Sequence, residues 1–304
     1  MLSSLSENTY KQYDCAIRKW IHYCNLHKYD YTAVSVPIVI HFLTEIFDSG
    51  ARYGTINSYK SALSLLFGNN TLNDDRVKRF MKGVFRLRPT RPRYDFTWNP
   101  SAVLDFLAQK WPNEDLSLET LSKKTLTLLA LVTAHRMQTF NLIKLNNITV
   151  TDTEILIKIP DLIKTSNPNS LQPLLKLPFF HERPEICPGR CLQEYLNKTQ
   201  NLRPNTCNSL FISYRKPHNK ISTQRMSHWI SDILVKSGID TTVFKAHSTR
   251  HASTSTANRL GVSIDLIRKT AGWSNTSLTF ARYYNKDLAD HNNSHFARTI
   301  LSSS

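Results

Sequence analysis

Lys245-Ala-His-Ser-Thr-Arg250, Thr270-Ala-Gly-Trp-Ser274 and Phe280-Ala-Arg-Tyr-Tyr-Asn-Lys286 follow one another in the last sixty residues of the chain. His247 and Arg250 are three apart, so on a helix they share a face. Together they can bind two oxygens of one phosphate, Arg250 through its planar fork. The indole of Trp273 is a donor only, and a tyrosine hydroxyl, on Tyr283 or Tyr284, can serve as a nucleophile. Such a set points to chemistry on a phosphodiester without a metal. It requires at least one more cation from elsewhere in the chain and a means of holding nucleic acid.

Composition agrees. The chain has 304 residues, a formal net charge of +16 and a 40% hydrophobic share, with an isoelectric point near 9.7. That length predicts two domains, each with its own core. So large a positive excess in a folded chain implies a polyanionic partner, nucleic acid before membrane. No apolar stretch approaches the roughly 20 residues needed to span a bilayer. The amino terminus lacks the basic and apolar regions of a signal peptide. The expectation is an unsecreted protein, nuclear if eukaryotic and otherwise cytoplasmic, with Cys15, Cys24, Cys187, Cys191 and Cys207 as free thiols. With only eight glycines there is no phosphate-cradling loop and hence no sign of nucleotide hydrolysis.

Residues 1–88 read as a bundle of four short amphipathic helices. Ser4 and Glu7 form a candidate capping box, and Tyr10, Tyr13, Ile17, Trp20, Ile21 and Cys24 recur at helical spacing. A second helix starts near Pro37 and carries Ile40, Leu43, Ile46 and Phe47 inward. A third starts near Thr55 and holds Ile56, Tyr59, Leu63 and Leu66. A fourth runs from about Asp74 to Phe85. It and its exit are basic: Arg76, Lys78, Arg79, Lys82, Arg86, Arg88, Arg91 and Arg93. Few acids follow Asp75, and Pro89 and Pro92 stop the helix. Residues 89–98 then read as a basic linker, and the run as a phosphate-contacting surface. On the third helix, Thr55, Asn57 and Lys60 are read as one face able to enter a DNA groove.

Residues 99–288 read as a second, mainly helical domain. Helices are expected near 100–110, 118–134, 138–145, 188–199, 223–236, 248–260, 263–270 and 275–284. Strands are expected at Ile148–Val150 and Glu154–Lys158, flanking a turn, with a third at Leu174–Leu177. The fold class is thus mainly α with a small β-sheet, and residues 289–304 form a polar tail. Arg136 ends a long apolar helix, where a buried charge needs a partner or a ligand. Lys164 follows the strand pair in a hairpin turn. Cys187, Cys191 and His181 match no common zinc-finger spacing and are read as packed side chains at a helix start. Asp152, Glu154 and Asp161 lie around the strands, one of them in a turn, and do not read as a two-metal cluster.

The order Arg136, Lys164, His247-x-x-Arg250, Trp273 and Tyr resembles the tyrosine recombinases and phage-type integrases. The local text is similar to the recombinases of eukaryotic Crypton-type and DIRS-type mobile elements. That similarity includes the three segments quoted above, Thr55-Ile-Asn-Ser58 and Arg79-Phe-Met-Lys-Gly-Val-Phe85. It covers residues 5 to 288.

The resemblance implies an N-terminal SAM-like core-binding bundle and a C-terminal catalytic domain. It also implies double-stranded DNA as partner and a homotetramer acting on two DNA sites, with no metal, cofactor or membrane. Arg136, Lys164, His247, Arg250, Trp273 and Tyr284 map to its catalytic positions. Tyr284 is selected over Tyr283 because the nucleophile stands last in Phe-x-x-aromatic-Tyr. One departure is Thr139, where many bacterial and phage relatives carry a carboxylate three residues after the first Arg. The implied activity is site-specific cutting and rejoining of DNA through a 3′-phosphotyrosine. Two rival readings use the same residues: a DNA-binding protein that has lost cleavage, and a type IB topoisomerase-like enzyme.

Overall fold

The computed structural model describes residues 5–166, 171–274, 284 and 286–288. The chain divides into two compact units between Pro92 and Arg93.

In the first unit, helix α1 spans Glu7–His27, α2 Val36–Asp48, α3 Tyr53–Phe67, α4 Asn69–Leu72 and α5 Asp75–Leu87. Ser6 caps α1, accepting from the Thr9 amide at 3.2 Å, and the expected cap Ser4 lies outside the described residues; a cap of this kind is worth about 1 kcal/mol. Ala16, Trp20, Tyr23 and Cys24 face the core, whereas Tyr10 and Ile21 are exposed. Aromatic amphiphiles tolerate water on one edge, so helical spacing alone overstates the apolar stripe. The core face of α2 is Val36, Val39, Phe42 and Leu43, with Ile40, Ile46 and Phe47 packed at its margin. Leu66 is exposed on α3, where Ala62 takes the inward position beside Ile56, Tyr59 and Leu63. Helix α4 is a single turn within the segment read as a loop.

In the second unit, β1 is Phe96–Thr97, α6 Pro100–Ala108, α7 Leu118–Thr133 and α8 Met137–Asn141. Strands β2 (Ile148–Val150), β3 (Glu154–Lys158) and β4 (Leu174–Pro178) follow, then α9 (Pro188–Thr199), α10 (Thr223–Lys236), α11 (Ser248–Arg259), α12 (Ile264–Thr270) and β5 (Asp287–Leu288). The three-stranded sheet is antiparallel in the order β2-β3-β4, with Ile155 opposite Leu177 and Ile157 opposite Leu175. Those four residues alternate along their strands and bury one face, as a half-solvated antiparallel sheet requires. Around it packs the apolar core formed with α7, α9 and α10. The fold is therefore mainly helical with one small antiparallel sheet, plus a two-residue parallel pairing of β1 with β5.

Helix α8 ends at Asn141, short of the 138–145 expected, because the backbone of Ile143 and Leu145 turns to bond Leu210 and Asn208. Tyr94 and Trp98, at the end of the segment read as linker, are buried in this unit. The helix expected over 275–284 lies outside the described residues except for Tyr284. Among the described residues no helix is long and apolar enough to cross a membrane, and the five cysteines are free.

Candidate active site

Four pieces of backbone converge in the second unit. Helix α7 is buried almost throughout and stops at Ala134, whose left-handed φ of 49° turns the chain into His135 and Arg136. Arg136 occupies the N-cap of α8. His247 occupies the N-cap of α11, and the Arg250 amide bonds the His247 carbonyl at 3.2 Å, so the pair share the first turn. Helix α12 delivers Ala271, Gly272 and Trp273. Tyr284 is buried against Trp273, Ala271 and Ile267.

Tyr284 is held from several sides. Its hydroxyl lies 2.8 Å from His247 Nε2. Its ring stacks on His251, with centroids 4.1 Å apart and planes 15° apart, and contacts Trp273 at 4.8 Å. The Ser255 hydroxyl donates to the Tyr284 carbonyl and accepts from the Lys286 amide at 3.0 Å. Trp98 braces the start of α11 from below, its indole N–H donating to Ser248 Oγ at 2.8 Å.

Arg250 is 1% exposed. Its guanidinium lies 4.3 Å from the Trp273 ring centroid and 5.4 Å from that of Tyr284. Nη2 donates to the Ala271 carbonyl at 2.8 Å, but Nε and Nη1 have no hydrogen-bond partner among the described residues. Leaving donors of a buried cation unpaired is costly, so this group gains from any anion brought to it. Burial, then the charge of Arg136, pulls its pKa down to about 9, opposed by Tyr284; it remains charged at neutral pH. Burial also pushes His247 down to about 4, with Arg250, Arg136 and Arg93 adding in that order. His247 is therefore neutral near pH 7 and can accept a proton. His135, buried beside the same arginines, is pushed down to about 3, mainly by burial. The cluster is buried and cationic.

The structure thus brings Arg136, His247, Arg250, Trp273 and Tyr284 together. The Arg136 guanidinium makes no hydrogen bond or ion pair with a described residue, and its charge is felt by His135, His247 and Arg250. Lys164 is exposed on the β3–β4 connection, and no hydrogen bond or ion pair joins it to the cluster among the described residues. Tyr283 lies outside the described residues. Thr139 is buried and its amide bonds the Arg136 carbonyl at 2.9 Å. Sequence reasoning missed His135, His251 and Ser255. The last two stand four and eight residues after His247, so the helical period alone placed them on its face. It read Arg93 as a DNA contact of the basic run, and the structure adds that its charge reaches His247.

In the first unit, the basic run divides three ways. Arg76 is bound by Asp74 through Nε at 2.9 Å and Nη2 at 3.0 Å, and Lys78 pairs with Asp75 at 3.0 Å. Arg79, Lys82 and Arg86 are exposed on the side of α5 away from buried Val77, Met81 and Val84. Arg88 turns inward, which corrects its reading as a surface contact: it donates to the Phe47 and Ala51 carbonyls and lies 3.8 Å from the Phe47 ring centroid. Arg91 is exposed, as is Arg93 at the start of the second unit. On α3, Thr55 and Asn57 are exposed and Lys60 half-buried. Thr55 and Asn57 stand about 200° apart on the helix, so only Asn57 and Lys60 share a face.

The metal alternatives find other uses for their residues. Cys187 Sγ accepts from the Phe180 amide at 3.1 Å and caps α9 through the Arg190 amide at 3.4 Å. Cys191 contacts Thr125 Oγ1 at 3.2 Å, and His181 bonds Arg190 at 3.3 Å. Glu154 pairs with Lys176 and Asp161 with Lys144, so these carboxylates do not converge.

Comparison with known proteins fits this geometry. The XerH site-specific recombinase bound to palindromic difH substrate in a post-cleavage complex is similar in fold, with a TM-score of 0.64 and 16% identity over 96% of this chain and 78% of that one. The Tn1549 transposon integrase in complex with transposon right end DNA gives 0.58 and 16% over 89% and 85%. A lambda integrase dimer bound to a COC′ core site gives 0.56 and 14% over 95% and 92%. At such identities the likeness concerns the fold. No curated protein sequence matches the chain. The phage integrase family profile matches residues 110–290, more than half of the chain and the whole span of the cluster from Arg136 to Tyr284, and the chain belongs to the phage integrase family.

Proposed function

We propose that the protein is a site-specific DNA recombinase that cuts and rejoins duplex DNA through a 3′-phosphotyrosine at Tyr284. The observation that carries this reading is Arg250. It is a buried guanidinium with two N–H groups lacking a partner, beside a tyrosine hydroxyl that already bonds a neutral histidine. In this scheme a scissile phosphate enters between Arg136 and Arg250. Tyr284 Oη attacks phosphorus while His247 Nε2 takes its proton. The bond to the 5′-oxygen breaks, and Lys164 supplies the proton to that leaving group once the β3–β4 turn closes on DNA. Trp273 packs Arg250 and Tyr284 into register. Loss of one such preorganised donor costs on the order of 10²–10³ in rate. Attack by a second 5′-hydroxyl reverses the step and joins a new strand. The phosphodiester energy is kept in the covalent bond.

The same reading assigns residues 1–88 to a core-binding domain, 89–98 to a linker and 99–288 to the catalytic domain. It takes Asn57, Lys60, Arg79, Lys82, Arg86, Arg91 and Arg93 as phosphate and groove contacts. It makes the active species a homotetramer on two DNA sites and the origin a Crypton- or DIRS-type mobile element, acting in a nucleus if the source is eukaryotic and otherwise in the cytoplasm. The relatives described as DNA complexes support the choice of partner, and the origin rests on the sequence segments similar to Crypton- and DIRS-type recombinases.

The test is a nicked suicide duplex carrying candidate element-end sequences. Wild type is expected to become covalently attached in magnesium-free buffer. Tyr284→Phe is expected to bind the same duplex without attaching. Attachment by Tyr284→Phe would overturn the assignment of the nucleophile. Sequence-specific binding by wild type with no attachment on any duplex would favour a protein that has lost cleavage.

A further inference from the structure

At the end of α1 and on one face of α2, His27, His41 and Glu45 bring two imidazoles and a carboxylate together. Their donor atoms all lie within 4.8 Å of one another. His27 Nε2 is 2.8 Å from Glu45 Oε1, and the His27 and His41 rings meet edge to face with centroids 5.6 Å apart. His41 and Glu45 are i and i+4 on α2, so they project side by side. We propose that these three residues form a binding site for one divalent transition metal of the zinc class, distinct from the phosphate cluster and independent of the recombinase reading.

Two imidazoles and one carboxylate form a ligand set that zinc favours, at bond lengths of about 2.0–2.2 Å. In a tetrahedral site those lengths put ligand atoms roughly 3.3 Å apart. The His27–Glu45 pair must therefore open slightly and His41 must move closer. His41 and Glu45 are exposed and His27 half-buried, so rotation of side chains supplies that adjustment. His41 Nδ1 is 2.6 Å from the Tyr23 hydroxyl. This engagement leaves Nε2 as the ligand nitrogen, with Tyr23 as the outer acceptor that metal-bound imidazoles usually have. The bound ion would tie the C-terminus of α1 to α2 across residues 28–35.

The probe is Co²⁺, then Zn²⁺, titrated into the tag-free full chain, followed by visible absorption, calorimetry and thermal unfolding. One equivalent of Co²⁺ is expected to give a four- or five-coordinate d–d spectrum that Zn²⁺ abolishes. Zn²⁺ is expected to raise the unfolding midpoint. Glu45→Gln and His41→Ala are expected to lose the spectrum and the Zn²⁺-dependent shift, each measured against the variant's own metal-free midpoint. Tyr23→Phe is expected to weaken binding about 10–100-fold. No spectrum with wild type, a thiolate charge-transfer band, or a spectrum unchanged in Glu45→Gln and His41→Ala would each overturn the site.

Discussion

Gly272 leads from α12 into Trp273, with φ at +64°. A Cβ there would stand 2.8 Å from His135 Cε1, and His135 is itself buried. Both conformation and space therefore demand glycine. Gly272→Ala is expected to cost about 1–3 kcal/mol, seen as a lowered unfolding midpoint. It is also expected to depress covalent attachment more than DNA binding, because Trp273 and Arg250 lose register. His135→Ala in the same chain relieves the steric part but not the backbone part, so the double variant should recover only part of the midpoint. The grouping of His247, Arg250, Trp273 and Tyr284 was legible in the sequence because their types are chemically specific and closely spaced. His135 and Ser255 were not. A histidine after an apolar helix and a serine among the many hydroxyls of α11 are ordinary residues until the fold shows that one lies beside Gly272 and the other holds the Tyr284 backbone.

Helix α5 shows how one run of like charges divides. Asp74 caps the helix and, with Asp75, neutralises Arg76 and Lys78. The buried stripe of Val77, Met81 and Val84 points Arg79, Lys82 and Arg86 to water. Past the helix end, Arg88 folds back to bond two carbonyls. Replacing Arg79, Lys82 and Arg86 together by Ala is expected to weaken DNA binding evenly across sequences and to leave the unfolding midpoint unchanged. The slope of log K against log salt should become shallower by about 0.9 for each phosphate no longer neutralised. Arg88→Ala should do the reverse, lowering stability by about 1–3 kcal/mol through loss of its bonds to the Phe47 and Ala51 carbonyls and leaving the salt slope unchanged. Fluorescence-anisotropy titrations over a salt series, run beside thermal melts, separate the two. The element itself was legible from its amphipathic period. The fate of each arginine was not, because inward and outward turns at a helix end depend on which carbonyls lie within reach, here Phe47 on α2 and Ala51 just beyond it.

At the scale of the molecule, the +16 charge is not only a surface property. The second unit folds around a positive centre: Arg250 is buried, Arg136 stands beside it, and neither is paired with a carboxylate among the described residues. His135 and His247 are kept neutral there. Their folded pKa values, about 3 and about 4, lie below the ordinary histidine value near 6.5. Below that value the unfolded chain binds protons that the folded chain refuses. Stability is therefore full above about pH 6.5 and falls as pH drops toward the folded values, by up to about 1.4 kcal/mol per pH unit for each group. The thermal midpoint of the second unit is expected to decline between pH 6.5 and 4, and less steeply in His135→Gln. Duplex DNA should flatten the decline further. A phosphate in the cluster offsets the charge of Arg136 and Arg250 and lets His247 hold a proton, so binding at pH 5–6 should take up protons. Calorimetric titrations in buffers of different ionisation enthalpy measure that uptake. A midpoint independent of pH over this range would mean that the two histidines are not held neutral by burial and the neighbouring arginines.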